Sequence, residues 1–395
     1  MKKTSVRIIN GKLVTPHQIL EHKTLWIEEG KIARITETVS DAEAEQTIDA
    51  RGHYVAPGFI DMHVHGGGGA DFMDGTVEAF LKIAETHAKH GTTSLMPTTL
   101  TSVKEELYKL FDTYKEAEIL NTHGAEFLGI HLEGPYFCYN QRGAQDPRYL
   151  RNPDPAEYNE ILNKCDAIKR WSVAPELPGA IEFGQVLRNR GIIASIAHTE
   201  AVYEEVVTAF ENGYSLVTHL YSGMTGVTRR NAYRYAGVVE SAYLLPNMDV
   251  EIIADGVHLP APLLRLIYQI KGAGHIALTT DAMRGAGMPE GPSILGGKAN
   301  GLPVIIEDGV AKLPDRSSFA GSVATGDRLV RTMISQAGVS LPEAVRMITH
   351  TPARILGIEN SKGTIDIGKD ADLVIFDNDI NICETIINGK LIYQR

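Results

Sequence analysis

The sequence predicts an α/β protein: a (β/α)8 TIM-like barrel joined to a small β-sandwich domain that both termini build. Three observations carry this expectation. Eight apolar, strand-like runs alternate with helical stretches through the middle of the chain, as in a parallel sheet with crossover helices. Short β segments broken by turn residues occupy both ends. Polar residues suited to chemistry fall at or near the ends of the central runs, where a barrel gathers its site.

A barrel takes about 250 residues, so a chain of 395 residues with 43% hydrophobic content has room for a companion domain. Residues 1–56 and 359–395 are assigned to the small β domain and 57–358 to the barrel. In the first part, β segments at 6–9, 25–28 and 32–35 are separated by Asn10-Gly11 and Glu29-Gly30, both turn signals. The basic start, from Met1 through Lys2 and Lys3, enters this β pattern rather than an apolar secretion segment. The barrel runs are 58–65, 92–99, 126–133, 168–176, 191–198, 214–220, 250–258 and 275–281. Spacing alone leaves an open doubly wound sheet as an alternative. Residues 283–322 are rich in Gly and Pro, with a hairpin expected around 304–312, and read as an active-site cover. Strands at 372–376 and 386–393 complete the β domain.

A formal net charge of −11 argues against nucleic-acid binding, which needs a basic face to displace counterions. No stretch is apolar for long enough to span a bilayer. The three widely spaced cysteines, Cys138, Cys165 and Cys383, fit a reducing compartment, so the cytoplasm is the expected location.

His63 and His65 stand two apart in a strand and point to the same side, where they reach one metal or form a hydrogen-bonded core pair. Glu133 ends an apolar strand, a costly place for a carboxylate unless a cation or an ion-pair partner meets it. His131 lies one pair deeper and reads as support for the ligands or as a structural residue. His198 and His219 end consecutive strands. With Glu133 they form a set of two imidazoles and one carboxylate, which leaves room for water as in a catalytic metal site; two independently satisfied core histidines are the alternative. Asp281 closes the last run and reads as the general base, or as a further ligand. His258 is placed to donate a hydrogen bond to a carbonyl oxygen, the alternative being an ordinary loop histidine.

At these residues the chain resembles the amidohydrolase superfamily and, within it, the N-acetylglucosamine-6-phosphate deacetylase family. Pro57-Gly-Phe-Ile-Asp-Met-His-Val-His65 and Gly368-Lys-Asp-Ala-Asp-Leu-Val374 mark the superfamily. His131-Leu-Glu-Gly-Pro135, Ala197-His198, Thr218-His-Leu220, Asp255-Gly-Val-His258, Thr280-Asp-Ala-Met283 and Ala320-Gly-Ser322 are closer to the deacetylases. The resemblance implies removal of the acetyl group from an N-acetyl amino-sugar phosphate. It also implies a principal metal on Glu133, His198 and His219, with Asp281 as acid/base and His258 on the substrate. With His63 and His65 both present, a second ion bridged by Glu133 follows; zinc or iron suits such ligands. The implied substrate contacts are Ala144, Gln145, Ser222, Gly223, Arg234, His258, Phe319, Ala320 and Gly321. A homodimer is implied as well, with Arg234 meeting phosphate from a neighbouring subunit.

Three departures from the family pattern stand out. Leu220-Tyr-Ser-Gly-Met224 replaces an aromatic residue followed by Asn-Ala-Met. The loop before Arg234 is longer and adds Arg229 and Arg230. Gln145, in Gly143-Ala-Gln-Asp-Pro147, stands where the family has a histidine. These departures leave the sugar epimer open, so N-acetylgalactosamine 6-phosphate or another N-acyl compound is the competing substrate. A catalytically silent barrel serving as a scaffold would have lost ligands or the acid/base carboxylate, and this chain keeps all of them.

Overall fold

In the computed structural model, residues 5–37 and 44–395 are described; the basic residues 1–4 lie outside them. The two chain ends share one eight-stranded sheet. Its order is Lys390–Gln394, Ile382–Ile387, Leu373–Phe376, Tyr54–Pro57, Ser5–Val14, Ile19–Glu28 and Lys31–Thr36, with Gln46–Asp49 beside Ser5–Val14. The link between Ile387 and Lys390 is Asn388-Gly389, with φ of 49° and 73°. Two successive left-handed residues give the twist that matches an antiparallel hairpin, and Asn-Gly tolerates them best. Ile8, Leu25, Ile27, Val55, Leu373 and Ile386 form a core under this sheet, separate from the main one.

Between the ends runs a curled parallel sheet of β1 (Phe59–Val64), β2 (Thr92–Pro97), β3 (Ile130–Glu133), β4 (Ile168–Val173), β5 (Ile193–Ile196), β6 (Tyr214–Val217), β7 (Asp249–Ile252) and β8 (Ile276–Leu278). Strands β3 to β8 are paired in that order, and β1 pairs with β2. Parallel bridges at Thr98–His131 and Val64–Ala282 connect the two groups. Every residue of β1 and β2 is buried, as expected of parallel strands covered on both faces. Helices alternate with the strands. Ala180–Asn189, between β4 and β5, buries Ala180, Phe183, Gly184 and Leu187, the spacing that puts one apolar stripe on one helix face.

The strands stop earlier than the sequence runs imply. His198 lies two residues beyond β5, His219 two beyond β6 and Asp281 three beyond β8. Their φ values of 47°, 30° and 48° explain the difference, because a left-handed residue cannot continue an extended strand. The cover is more elaborate than one hairpin: β9 (Gly291–Leu295), β10 (Leu302–Glu307), β11 (Val310–Lys312) and β12 (Phe319–Ser322) form an antiparallel sheet. Asp308-Gly309, with φ of 54° and 70°, makes the tight turn between β10 and β11.

Candidate active site

The strand ends bring six of the sequence-predicted residues into one cluster. His63 sits inside β1 and His65 just past it; Glu133 is the last residue of β3. Glu133 Oε1 lies 3.4 Å from His63 Nε2, 3.5 Å from His198 Nε2 and 3.1 Å from His219 Nε2. His65 Nε2 is 3.4 Å from Glu133 Oε2. Asp281 Oδ1 faces His65 Nε2 at 3.1 Å and His63 Nε2 at 3.3 Å. All six residues are buried.

This donor set fits metal. The ligand atoms of His63, His65 and Glu133 lie within 4.8 Å of one another, and so do those of Glu133, His198 and His219. That is the spread of donors around one cation at ligand distances of about 2 Å. Glu133 belongs to both groups. The Nε2 atoms of His63 and His65 also face each other at 3.1 Å, a convergence of ligand atoms that a cation relieves. Burial alone would favour neutral Glu133, but the histidines around it hold its carboxyl well below the usual range. Burial likewise opposes charge on His65, yet Asp281 and Glu133 hold its imidazole well above the ordinary value. Burial raises Asp281 too, and His63 and His65 outweigh it, leaving the carboxyl low.

Support comes from behind the cluster. His198 Nδ1 is 2.8 Å from the Gln141 carbonyl, which fixes the ring and leaves Nε2 facing Glu133. Gln145 accepts from the Thr101 amide at 2.9 Å, so its Nε2 is the atom 2.6 Å from Glu133 Oε2, and it donates there. His131 sits beneath, with Nε2 2.7 Å from Ser172 Oγ and Nδ1 3.2 Å from Thr98 Oγ1. Its ring meets that of His63 edge-on. Asp61 accepts from the Thr279 and Thr280 hydroxyls at 2.9 Å and 2.5 Å, tying β1 to the end of β8. Burial pushes its pKa to about 7 against those hydrogen bonds.

A cavity of about 540 Å³ opens over the cluster. Of the expected substrate contacts, Ala144, Gln145, Ser222, Gly223, His258, Phe319 and Gly321 line it. Ala320 and Arg234 do not. Ala320 is fully buried in the small core of the cover. Arg234 lies on an exposed hairpin, Thr228–Arg230 paired with Tyr233–Tyr235, away from this chain's cavity. His258 is oriented by Asp255, whose Oδ2 is 2.8 Å from Nδ1, so Nε2 is the nitrogen left for a ligand.

Sequence reasoning missed three features. Tyr221 lines the cavity, and so do Lys312 and Arg316 of the cover. Inside the curled sheet, Arg170 makes a bidentate pair with Glu251, and Glu251 Oε2 is 3.8 Å from His63 Nδ1. The position of Arg170, two after Ile168 and two before Ser172 in β4, is the one signal that would have pointed it inward.

Imidazoles and carboxylates gathered over a cavity, at the ends of a curled parallel sheet, define a hydrolase built to work with a bound cation. The model of the Amidohydrolase family matches residues 54–392. A relative from Lysinibacillus sphaericus, N-acetylglucosamine-6-phosphate deacetylase, is 35% identical over 386 residues, covering 95% of this chain and 94% of that protein. The crystal structure of N-acetylglucosamine-6-phosphate deacetylase from Pasteurella multocida is similar with a TM-score of 0.91 and 29% identity, covering 99% of this chain and 100% of that one. A mutant of N-acetyl-D-glucosamine-6-phosphate deacetylase from Mycobacterium smegmatis, in complex with N-acetyl-D-glucosamine-6-phosphate, gives 0.89 and 28%, with both chains covered in full (100%). The chain belongs to the amidohydrolase family and, within it, to the N-acetylglucosamine-6-phosphate deacetylases.

Proposed function

We propose that the protein hydrolyses the acetamide of N-acetyl-D-glucosamine 6-phosphate, giving D-glucosamine 6-phosphate and acetate in amino-sugar catabolism. The observation that carries this reading is the convergence of four imidazoles and Asp281 around Glu133 beneath a cavity sized for a small ligand. Glu133, His198 and His219 would hold the principal ion, and His63 and His65 a second one that shares Glu133. Zinc or iron suits such nitrogen and carboxylate ligands. A cation there supplies acidification of water and polarisation of the amide carbonyl.

The chain's own residues do the rest. Asp281 takes the proton of the attacking water and returns it to the leaving nitrogen, so a C–O bond forms as the C–N bond breaks. His258, held through Nδ1 by Asp255, turns Nε2 to the carbonyl oxygen, and with both ring nitrogens protonated it donates there as negative charge develops. Ala144, Gln145, Ser222, Gly223, Phe319 and Gly321 shape the walls around the sugar; Ala320 packs behind them. Arg234, exposed on its hairpin and not among the residues that line its own chain's cavity, fits a role in a homodimer.

The same reading treats β1 to β8 as one closed barrel across residues 57–358, supported by the bridges at both junctions. It assigns residues 1–56 and 359–395 to a separate β-sandwich domain, and the support for that is the core of their own that lies against the shared sheet. The same reading places the protein in the cytoplasm, with Cys138, Cys165 and Cys383 all free as a reducing compartment would keep them.

The test is release of free amine from N-acetylglucosamine 6-phosphate, its galactosamine epimer and the unphosphorylated sugar, with bound metal quantified on the same sample. Preferential turnover of the glucosamine phosphate is expected. Preference for the galacto epimer would move the assignment to that sugar, a reading that Gln145 in place of histidine keeps open. No turnover of any of the three by metal-replete protein would overturn the sugar-phosphate assignment.

A further inference from the structure

Among the described residues, the cavity is lined by only two side chains with a fixed positive charge, Lys312 and Arg316. Both belong to the cover: Lys312 ends β11, and Arg316 lies in the loop that returns to β12. The wall that carries the chemistry has the opposite character, with Glu133 and Asp281 among its imidazoles. This loop crosses close above that wall. The position a Cβ would take on Gly143 is 3.7 Å from His198 Cε1 and 3.8 Å from Ser318 Oγ. The Phe319 ring packs on His258 with centroids 4.6 Å apart.

The cations are held without being used up. Lys312 Nζ donates to Asp308 at 2.7 Å and contacts Glu307 at 3.4 Å. Arg316 donates to Glu307 from Nε at 3.0 Å and from one terminal nitrogen at 3.3 Å, and its other terminal nitrogen donates to the Pro314 carbonyl at 2.8 Å. Each pair has one member open to water, Arg316 at 55% and Asp308 at 79%, against 28% for Glu307 and 17% for Lys312, and ion pairs exposed on one side contribute little. Both cations retain N–H groups beyond those bonds, and a phosphate dianion is the stronger acceptor for a guanidinium fork beside an ammonium. The Ser317 and Ser318 hydroxyls of the same wall donate to Asp315 at 2.7 Å and to the Phe319 carbonyl at 2.9 Å, which leaves the two cations as its donors.

We infer that Lys312 and Arg316 receive the anionic end of the substrate within a single chain, making the cover loop a determinant of specificity for phosphorylated sugars. The inference rests on the sugar-phosphate reading above, and it adds contacts from the substrate's own chain to the role that Arg234 would fill across a homodimer.

The experiment compares wild type with Lys312→Met, Arg316→Met, the double variant and Arg234→Met. Turnover is measured on N-acetylglucosamine 6-phosphate and on unphosphorylated N-acetylglucosamine, and binding of glucosamine 6-phosphate and glucosamine is measured by calorimetry. Two lost charge-assisted contacts should lower kcat/KM for the phosphorylated sugar by at least ~30-fold, chiefly through KM, and leave the plain sugar within about threefold. Arg316→Lys should restore part of the loss. An unchanged preference for phosphate in the double variant overturns the inference, and so does an equal loss on both sugars. If wild type turns over neither sugar yet binds glucosamine 6-phosphate through these two residues, the anion site stands and the deacetylase reading falls. If wild type binds neither ligand, both fall.

Discussion

Replacing Arg170 by Met separates two charges that the curled sheet holds entirely away from water. Arg170 and Glu251 are both fully buried. The guanidinium donates to both Glu251 oxygens, to Ser195 Oγ at 3.0 Å, to Thr218 Oγ1 at 2.7 Å and to the Met62 carbonyl at 3.3 Å. Methionine fills much of the volume but offers no donor, which strands the Glu251 carboxylate and three further acceptors. Removing one partner of a buried pair costs about 3–5 kcal/mol. Removing both is far milder, because apolar side chains of similar size pack without the desolvation penalty. Arg170→Met combined with Glu251→Leu should therefore recover at least ~2 kcal/mol relative to Arg170→Met alone. Guanidinium titration followed by tryptophan fluorescence reads this directly, since Trp171 is the next residue in β4 and is itself fully buried. A cost below about 1 kcal/mol for Arg170→Met, or a double variant no better than the sum of its singles, would refute the claim that the pair is a mutual compensation.

Asp281→Asn keeps a side chain that tolerates the left-handed backbone at φ 48°, so turnover should fall by ~100-fold or more with metal content unchanged; metal loss measured on that variant would make Asp281 chiefly a ligand. Gln145→Ala removes a hydrogen bond to a buried carboxylate, worth about 1.5–3 kcal/mol, and weaker metal retention against a chelator should report it; wild-type retention would show that Gln145 does not position Glu133. Burial lowers the pKa of His87 to about 4 against the pull of the Gly66 carbonyl. The unfolded chain therefore takes up a proton below pH 6.5 that the folded one refuses, and stability falls as pH drops from 6.5 towards 4. At pH 4.5 this penalty is roughly 2 to 3 kcal/mol, and unfolding of His87→Gln at pH 7 and 4.5 should show a smaller difference than wild type; an equal difference would place the acid sensitivity elsewhere.

Local signals were legible wherever the structure depends on neighbours in sequence. Asn388-Gly389 and Asp308-Gly309 mark hairpins because few other pairs accept two left-handed residues in succession. The stripe at Ala180, Phe183, Gly184 and Leu187 marks a helix face. His63, Glu133, His198, His219 and Asp281 were recognisable because each follows an apolar run, and parallel strands deliver their ends to one side. The rest depends on residues far apart. Nothing near Arg170 announces that Glu251 arrives beside it, and Lys312 and Arg316 reach the cavity only because β9 to β12 fold back over it. Arg234 shows the converse: its resemblance to a phosphate contact is a matter of sequence, and the hairpin that carries it stands outside the cavity of its own chain.

The backbone at the site explains why regular periodicity could place those residues only approximately. In an extended strand, side chains alternate between faces, and the direction of a residue beyond the strand is set by its turn. His198, His219 and Asp281 each take a left-handed conformation that histidine and aspartate adopt at some cost, of order 1–3 kcal/mol apiece. Neighbouring backbone opposes that cost. The Cys138 amide donates to the His198 carbonyl at 2.9 Å, the Ser222 amide to that of His219 at 2.9 Å, and the Ser322 amide to that of Asp281 at 2.8 Å, while the Asp281 amide donates to His63 at 2.9 Å. Each strained residue is thus anchored by a different segment of the chain. The segments that carry candidate substrate contacts, the turn at Ser222 and β12 at Gly321, hold the same backbone that aims His219 and Asp281. Changes in those segments therefore reach the cluster through its geometry, which couples substrate selection to the site more tightly than the cavity lining alone implies.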